Sequence, residues 1–436
     1  MSREIWVEKE DNNHPIFWDK EVNGVLYGKR NKVHTVQIAV KVPKLKMDMS
    51  LSAINPDGKR QIIEGESHSW TRNFYNHISS GMGKDGNDAT DFQDGNINGK
   101  DTDGVVISAD LPFHVNNISG DAEDGGFFAE NLDSSYGICV GTGTSVETIE
   151  SFALATPVIH GVSADQLLYR TSPKFSYVWD SGTRVLSNKL TRFFDNFSAG
   201  SITLKEIGLI ALFGAFHSGG CFLVSRDLIT NLVVADKTMA VISYIFSLTF
   251  PSTGSPLRNF YNYLFSYSAC VDCDGGSGSF GDGVVNIKDT SGNIKSGYFI
   301  LRLDLSSLES ASGFCGANNN NTYGAQVGTT ATLVSFEDNA MAGLVEHGSG
   351  AGQMTYMSGD TPTRSWSDPV MTIQHARPIN NGSGASITIK EVGLVARLEY
   401  STLYPYTLML RDVISDVVVE VGESIRPVHQ FQVTYP

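Results

Sequence analysis

Apolar and polar residues alternate with period two over much of this chain, the pattern of strands with one buried face. Ser201 to Leu209 alternates β-branched or apolar residues with polar ones, and Ile210 to Leu212 extend it toward a buried edge. Cys221 to Val224 predicts a second strand, Val233 and Val234 a short third, and Met239 to Phe250 a long fourth. Ile425 to Tyr435 alternates in the same way, with Pro427 near its start, where a strand best tolerates proline. Val33 to Val42 is strand-like as well. Helical periodicity is confined to Trp70–Ser80 and Pro256–Ser266, where aromatics recur three or four residues apart. Each predicts one short amphipathic helix packed on a sheet.

The pattern occurs twice. Ser201-Ile202-Thr203-Leu204-Lys205-Glu206-Ile207-Gly208-Leu209 returns as Ser386-Ile387-Thr388-Ile389-Lys390-Glu391-Val392-Gly393-Leu394. Arg226-Asp227-Leu228-Ile229 returns as Arg411-Asp412-Val413-Ile414, and Leu248-Thr249-Phe250-Pro251 as Val433-Thr434-Tyr435-Pro436. Upstream, Arg72-Asn73-Phe74-Tyr75-Asn76 is repeated letter for letter at Arg258 to Asn262, and His160-Gly161 at His347-Gly348. Lys100-Asp101-Thr102 matches Lys288-Asp289-Thr290, and Val140-Gly141-Thr142 matches Val327-Gly328-Thr329. Collinear blocks at nearly constant offset mark an internal duplication. The expected organisation is an N-terminal extension over 1–59 and repeats over 60–251 and 252–436. The expected fold is mainly β: two tandem antiparallel β-sandwich domains with few short helices.

Composition narrows the classes. A chain of 436 residues with 41% hydrophobic and 18% charged residues is globular and long enough for two cores. Its 44 glycines suit tight turns between short strands. A net charge of −15 leaves no basic surplus for gripping phosphates, so direct nucleic-acid binding is not expected. The charged start Met1 to Trp6 lacks a secretory h-region, and the longest apolar run, Ile207 to Phe216, is too short to span a bilayer. Five cysteines, scattered except for Cys270 and Cys273, argue against a disulfide framework and fit synthesis in a reducing cytosol.

Several constellations could carry chemistry. Asp94-Gly95-Asn96-Ile97-Asn98-Gly99 matches the first half of a calcium loop, but Val105 stands where the closing Glu belongs. An Asx-rich turn explains it better. Cys270 and Cys273 have the spacing of half a zinc site without a second half. His160 and His347 lack an accompanying nucleophile motif, so a duplicated hydrogen-bonding role is expected. Arg226-Asp227 and Arg411-Asp412 are expected to pair across strands, onto a neighbouring subunit, or in solvent. The segments Val140 to Thr144 and Val327 to Thr330 lack a P-loop ending and read as strand ends. No catalytic, cofactor or metal residue is assigned, and no cofactor is expected.

One resemblance rests on these blocks. The succession Val140-Gly141-Thr142-Gly143-Thr144, Ala153-Leu154-Ala155, His160-Gly161, Gln166-Leu167-Leu168-Tyr169 and Thr191-Arg192-Phe193, then the Lys-Glu-Ile-Gly-Leu and Arg-Asp blocks, resembles a diffuse family of tailed-bacteriophage virion proteins. It covers Ser135–Pro251 and Thr322–Pro436, departing where Thr330 replaces the second glycine. The resemblance implies a structural component of the neck, tail or capsid surface, assembled in the host cytoplasm and partnered by other virion proteins and by copies of itself. A carbohydrate- or receptor-binding module is the alternative, with Tyr261, Tyr263, Tyr404 and Tyr406 as sugar platforms if exposed. A depolymerase would need two carboxylates flanking a sugar, and none is marked out. The aromatics of the extension, Trp6, Phe17 and Trp18, suggest an arm that docks on a neighbour or on its own domain.

Overall fold

The computed structural model describes residues 4–8, 17–22, 25–29, 32–67, 69–83, 91–107, 126–171, 176–213, 220–269, 280–296, 300–301, 313–399 and 405–436. The extension supplies β1 (Glu4–Glu8), β2 (Phe17–Val22), β3 (Val25–Lys29), β4 (Val33–Lys41) and β5 (Lys46–Ile54); β6 (Arg60–Glu66) follows. The first repeat continues with α1 (Arg72–Gly81), β7 (Gly99–Lys100), β8 (Val106–Ile107), β9 (Gly137–Gly141), β10 (Leu168–Tyr169) and β11 (Ser176–Asp180). Its long strands are β12 (Val185–Asn196), β13 (Ile202–Phe213), β14 (Gly220–Val234) and β15 (Thr238–Thr249). The second repeats the order as α2 (Arg258–Ala269), β16 (Ile287–Lys288), β17 (Ile294–Lys295), β18 (Ile300–Leu301), β19 (Gly324–Gly328), β20 (Thr355–Tyr356) and β21 (Thr363–Ser367). It ends with β22 (Val370–Ala376), β23 (Ile379–Asn380), β24 (Ile387–Glu399), β25 (Tyr406–Val419) and β26 (Ser424–Thr434).

Each repeat is built from two mainly antiparallel sheets, as the alternation predicts. In the first, a sheet of order β10-β12-β15-β5-β6 faces the sheet β14-β13-β9. In the second, β1-β4-β26-β22-β21 accompanies a sheet in which β24 pairs with β18, β19 and β25. Strand β12 turns Leu186, Leu190 and Phe194 inward, and β15 answers with Ile242, Tyr244 and Phe246. The pieces expected as separate strands at 221–224 and 233–234 are one strand of 15 residues. Its ladder to β13 is interrupted between Leu204 and Glu206, and the β24–β25 ladder between Ile389 and Glu391. An irregularity copied at the same position is part of the design of each sheet. Among the described residues, no helix is long and apolar enough to cross a membrane.

The strand expected at Val33–Val42 is β4, and it lies parallel to β26, from Val33 opposite Ser424 to Lys41 opposite Gln432. Residues 42–45 then carry the chain to the other repeat, where β5 runs antiparallel to β15. One sheet of each repeat therefore gains strand pairing from sequence that was never duplicated. Val36, Ile38 and Val40 on β4, and Met47 and Leu51 on β5, are buried in the core.

The helices also depart from the picture of one helix laid on each sandwich. Nine residues of α1 and all of α2 are buried, because each helix packs on its own repeat and on the other. Within their own repeats, Phe74 stacks on Trp70 and Phe260 on Phe431. Across the seam, Tyr75 stacks on Tyr435 at 4.9 Å, and its counterpart Tyr261 meets Phe250 at 5.2 Å. At the centre the helices touch each other: His77 stacks on Tyr267 at 4.2 Å and bonds its carbonyl. The Tyr263 hydroxyl donates to the Gly81 carbonyl at 2.8 Å. A side chain at Gly81 would place a carbon 2.4 Å from the Tyr267 ring, so only glycine allows this approach. The seam is the geometry of a symmetric dimer written in one chain.

Two tests follow. Removing residues 1–32 should leave one cooperative unfolding transition, whereas truncation through Lys41 uncovers β26 and should cost at least about 5 kcal/mol in denaturant titrations. Burial lowers the His77 pKa from 6.5 to about 3. The unfolded chain thus binds a proton that the native seam refuses, so stability is full above pH 6.5 and falls toward pH 3. His77→Phe should flatten that acid slope by up to about 1.4 kcal/mol per pH unit, read from unfolding curves across the range.

Candidate functional site

The most strongly repeated blocks meet in the core as a pair of clamps. Bonded strands β13 and β14 bring Glu206 beside Arg226, both buried, with Arg226 Nε donating to Glu206 Oε2 at 2.8 Å. Glu206 also accepts the backbone N–H groups of Gly143 at 3.1 Å, Ala155 at 3.0 Å and Thr156 at 2.8 Å. Arg226 Nη2 donates to the Ser145 carbonyl and hydroxyl, at 2.9 and 3.1 Å, and Nη1 to the Val146 carbonyl at 3.5 Å. In the second repeat Arg411 Nε donates to Glu391 at 2.7 Å, and the guanidinium reaches the Thr332 carbonyl and Asp338. A buried ion pair survives desolvation only when its remaining donors and acceptors are satisfied, and here the loop backbone satisfies them. The clamp's product is a loop held rigidly at the surface. Asp227, next in the block, accepts hydrogen bonds from Ser67 and from Tyr244, and burial raises its pKa.

Thr330, the departure from the repeated pattern, has a compensating partner. Gly141 and Gly143 leave room for the Glu206 carboxylate; a Cβ at Gly143 would lie 2.4 Å from Oε1. In the second repeat Thr330 stands in place of that glycine, while Gly343 stands in place of Thr156. A Cβ at Gly343 would lie 2.1 Å from the Thr330 hydroxyl. Glycine and threonine have exchanged sides of one contact.

A second duplicated hub lies beneath the neighbouring loop. Arg192 is fully buried and directs its N–H groups to the carbonyls of Arg170, Tyr136, Ile138, Glu130 and Asp133. Its guanidinium lies 4.7 Å from the centre of the Tyr169 ring. Arg377 does the same with the carbonyls of Met357, Tyr323, Ala325, Ala317 and Asn320, over Tyr356 at 4.9 Å. Five carbonyls use all five donors of each arginine. Burial lowers both pKa values, that of Arg377 to about 10, which leaves the charge in place at neutral pH. His160 and His347 belong to this hub. Each Nδ1 accepts the backbone N–H of the tyrosine nine residues on, at 3.3 Å.

The calcium-like loop is occupied by arginine. Asp94 accepts from Arg72 at 2.7 Å, and Asn96 accepts from Arg364 of the other repeat at 3.2 Å. Its twin Asp282 accepts from Arg258. Asp101 and Asp289 close Asx-type turns on the N–H groups of Val105 and Asn293, both at 2.8 Å. Cys270, Cys273 and Tyr404 lie outside the described residues. The sugar-platform expectation fails for Tyr261 and Tyr263, which are buried at the seam, and Tyr406 is half-buried against Tyr323.

No family model, curated protein or solved structure matches this chain. The clamped loops present Val146 and Leu333, equivalent positions that are 78% and 88% exposed. Beside the first hub a cleft of about 620 Å³ is lined by Leu132, Cys139, Leu154, Pro157, Ile159 and Ile210, with Asp103 and Asp133 at polar positions. Burial pushes the Cys139 thiol up to about 12, so it is protonated at neutral pH. Leu132 and Ile159 are 48% and 54% exposed. Their equivalents in the second repeat, Asn319 and Glu346, are polar. Comparing the copies position by position would have exposed this difference, whereas matching blocks directs attention only to what they share.

The glycine–threonine exchange makes a double-mutant cycle. Gly143→Thr alone should destabilise by several kcal/mol, about 2 or more. Adding Thr156→Gly should recover part of the loss, with a coupling of about 1–3 kcal/mol in unfolding measurements.

Proposed function

We infer that this protein is a structural subunit of a tailed-bacteriophage particle, working through contacts with neighbouring subunits rather than through catalysis. The carrying observation is where the duplicated polar residues go. Glu206, Arg226, Arg192, His160 and Asn73, with their twins, each bond backbone or one another inside the scaffold. Duplication thus preserved a rigid body, while the surfaces of the two copies diverged. A rigid body with two similar faces suits neighbouring, nearly equivalent positions in an assembly. Neck, tail and capsid surface are all compatible with this role, in the virion after assembly in the host cytoplasm.

The alternative, a receptor- or carbohydrate-binding module, loses support with the burial of Tyr261 and Tyr263. Purified particles decide between them. A structural subunit is expected in intact virions at a fixed copy number and visible as ordered density. Absence from the particles would reject the reading. Adsorption of the isolated protein to host cells, with block of infection, would favour the alternative.

A further inference from the structure

We propose that a cavity between the two repeats, beneath residues 42–45, binds a small neutral amphiphile: a short aliphatic chain carrying one hydroxyl. The proposal goes beyond the structural-subunit reading and does not depend on it. The cavity holds about 60 Å³ and is bounded by α1, the last turn of α2, the end of β26 and the connector between β4 and β5. Its buried walls include Leu45, Trp70, Phe74, Ile78 and Val433, all aliphatic or aromatic. Trp70 and Phe74 stack with ring centroids 3.7 Å apart, which sets this wall before any ligand arrives. Pro43 and the exposed Lys44 form the rim.

One buried polar side chain lines this cavity without a partner. Ser268, on α2, is 1% exposed, and its hydroxyl makes no hydrogen bond among the described residues. A buried hydroxyl left unpaired is costly, so a ligand that pairs it gains by doing so. The two repeats show how the space arises. Six residues after the repeated Arg-Asn-Phe-Tyr-Asn block, α2 carries Ser268 where the other repeat has Met82. Met82 is fully buried, so at the equivalent place across the seam a long apolar side chain occupies the interior. Serine opens a space instead and lines it with a hydroxyl. Water answers that hydroxyl poorly, because a buried water needs about two to four polar partners and the other buried walls are apolar. A cavity of about 150 Å³ accepts benzene, so this smaller one suits a chain of roughly two to four carbons. A carboxylate drawn to Lys44 at the rim would send its alkyl end to Ser268 and leave the hydroxyl unpaired. The ligand that satisfies both floor and walls is neutral, with its hydroxyl at Ser268.

The test titrates the full-length protein with three probes followed by NMR: propan-1-ol, xenon as an apolar body without a hydroxyl, and propionate as the charged control. Propan-1-ol should bind saturably and raise the melting temperature. Ser268→Met installs the residue of the other repeat. It should weaken propan-1-ol and xenon by about tenfold or more and raise the melting temperature of the free protein, since it fills the space. Ser268→Ala keeps the space and removes the hydroxyl. It should weaken propan-1-ol by about three- to tenfold and leave xenon bound at least as tightly as in the parent. If methionine overfills the site and the variant does not fold, the two probes on Ser268→Ala decide alone. No saturable binding of propan-1-ol, as for a cavity holding water only, would overturn the proposal. So would binding unchanged in a folded Ser268→Met, equal effects on both probes in Ser268→Ala, or propionate bound as tightly as propan-1-ol.

Discussion

Neither helix of this protein can be buried by its own repeat. Each carries aromatics on two faces, and the second face is satisfied only across the seam, by Tyr435 for α1 and by Phe250 for α2. The helices then meet through His77 and Tyr267, with Gly81 setting the distance. Large aromatic surfaces contribute most of the driving force in such a contact, and hydrogen bonds such as Tyr435 to Asn76 fix its register. The strands β4 and β5 reinforce the seam from outside, one on a sheet of each repeat, with only residues 42–45 between them. The two repeats are consequently one folding body with a shared core.

Buried charge explains what the repeated motifs are for. Leaving one member of a buried pair unpartnered costs about 3–5 kcal/mol, against a total stability of about 5–15 kcal/mol for a typical domain. Glu206 with Arg226, and Glu391 with Arg411, are therefore tolerable only while the loop backbone completes their hydrogen bonds. The requirement runs in both directions, since the charges hold the loop and the loop solvates the charges. Arg192 and Arg377 apply the same logic with carbonyl dipoles. Such sites specify one loop conformation, and the loops they specify carry Val146 and Leu333 at the surface.

Much of this was legible beforehand, in a particular way. The strands at 202–213, 238–249 and 424–434 follow from alternation, and both helices from aromatic spacing. The blocks Lys-Glu-Ile-Gly-Leu and Arg-Asp announced themselves by repetition, but their pairing did not, because 20 residues separate Glu206 from Arg226 and only the ladder register brings them together. The calcium-like spacing at Asp94 misleads for a related reason: its oxygens suit a cation, and the cations that meet them are guanidinium groups from Arg72 and, for Asn96, Arg364. The surface positions Leu132, Ile159 and Leu333 carry no motif, and they become visible once the two copies are compared at equivalent places.

The sequence by itself determined the local periodicity, the duplication and the mainly β character of the chain, since these depend on neighbouring residues and on self-similarity. Tertiary structure decided where the unduplicated segment goes. Strand pairing joins residues far apart in the chain, and nothing local to the strand-like Val33–Lys41 names β26 as its parallel neighbour. It also decided that the helices lie between repeats instead of on them, because burial on two faces depends on what the other copy presents. Charges buried twice, a strand lent to each repeat and a glycine traded for a threonine are all settled by contacts between distant residues.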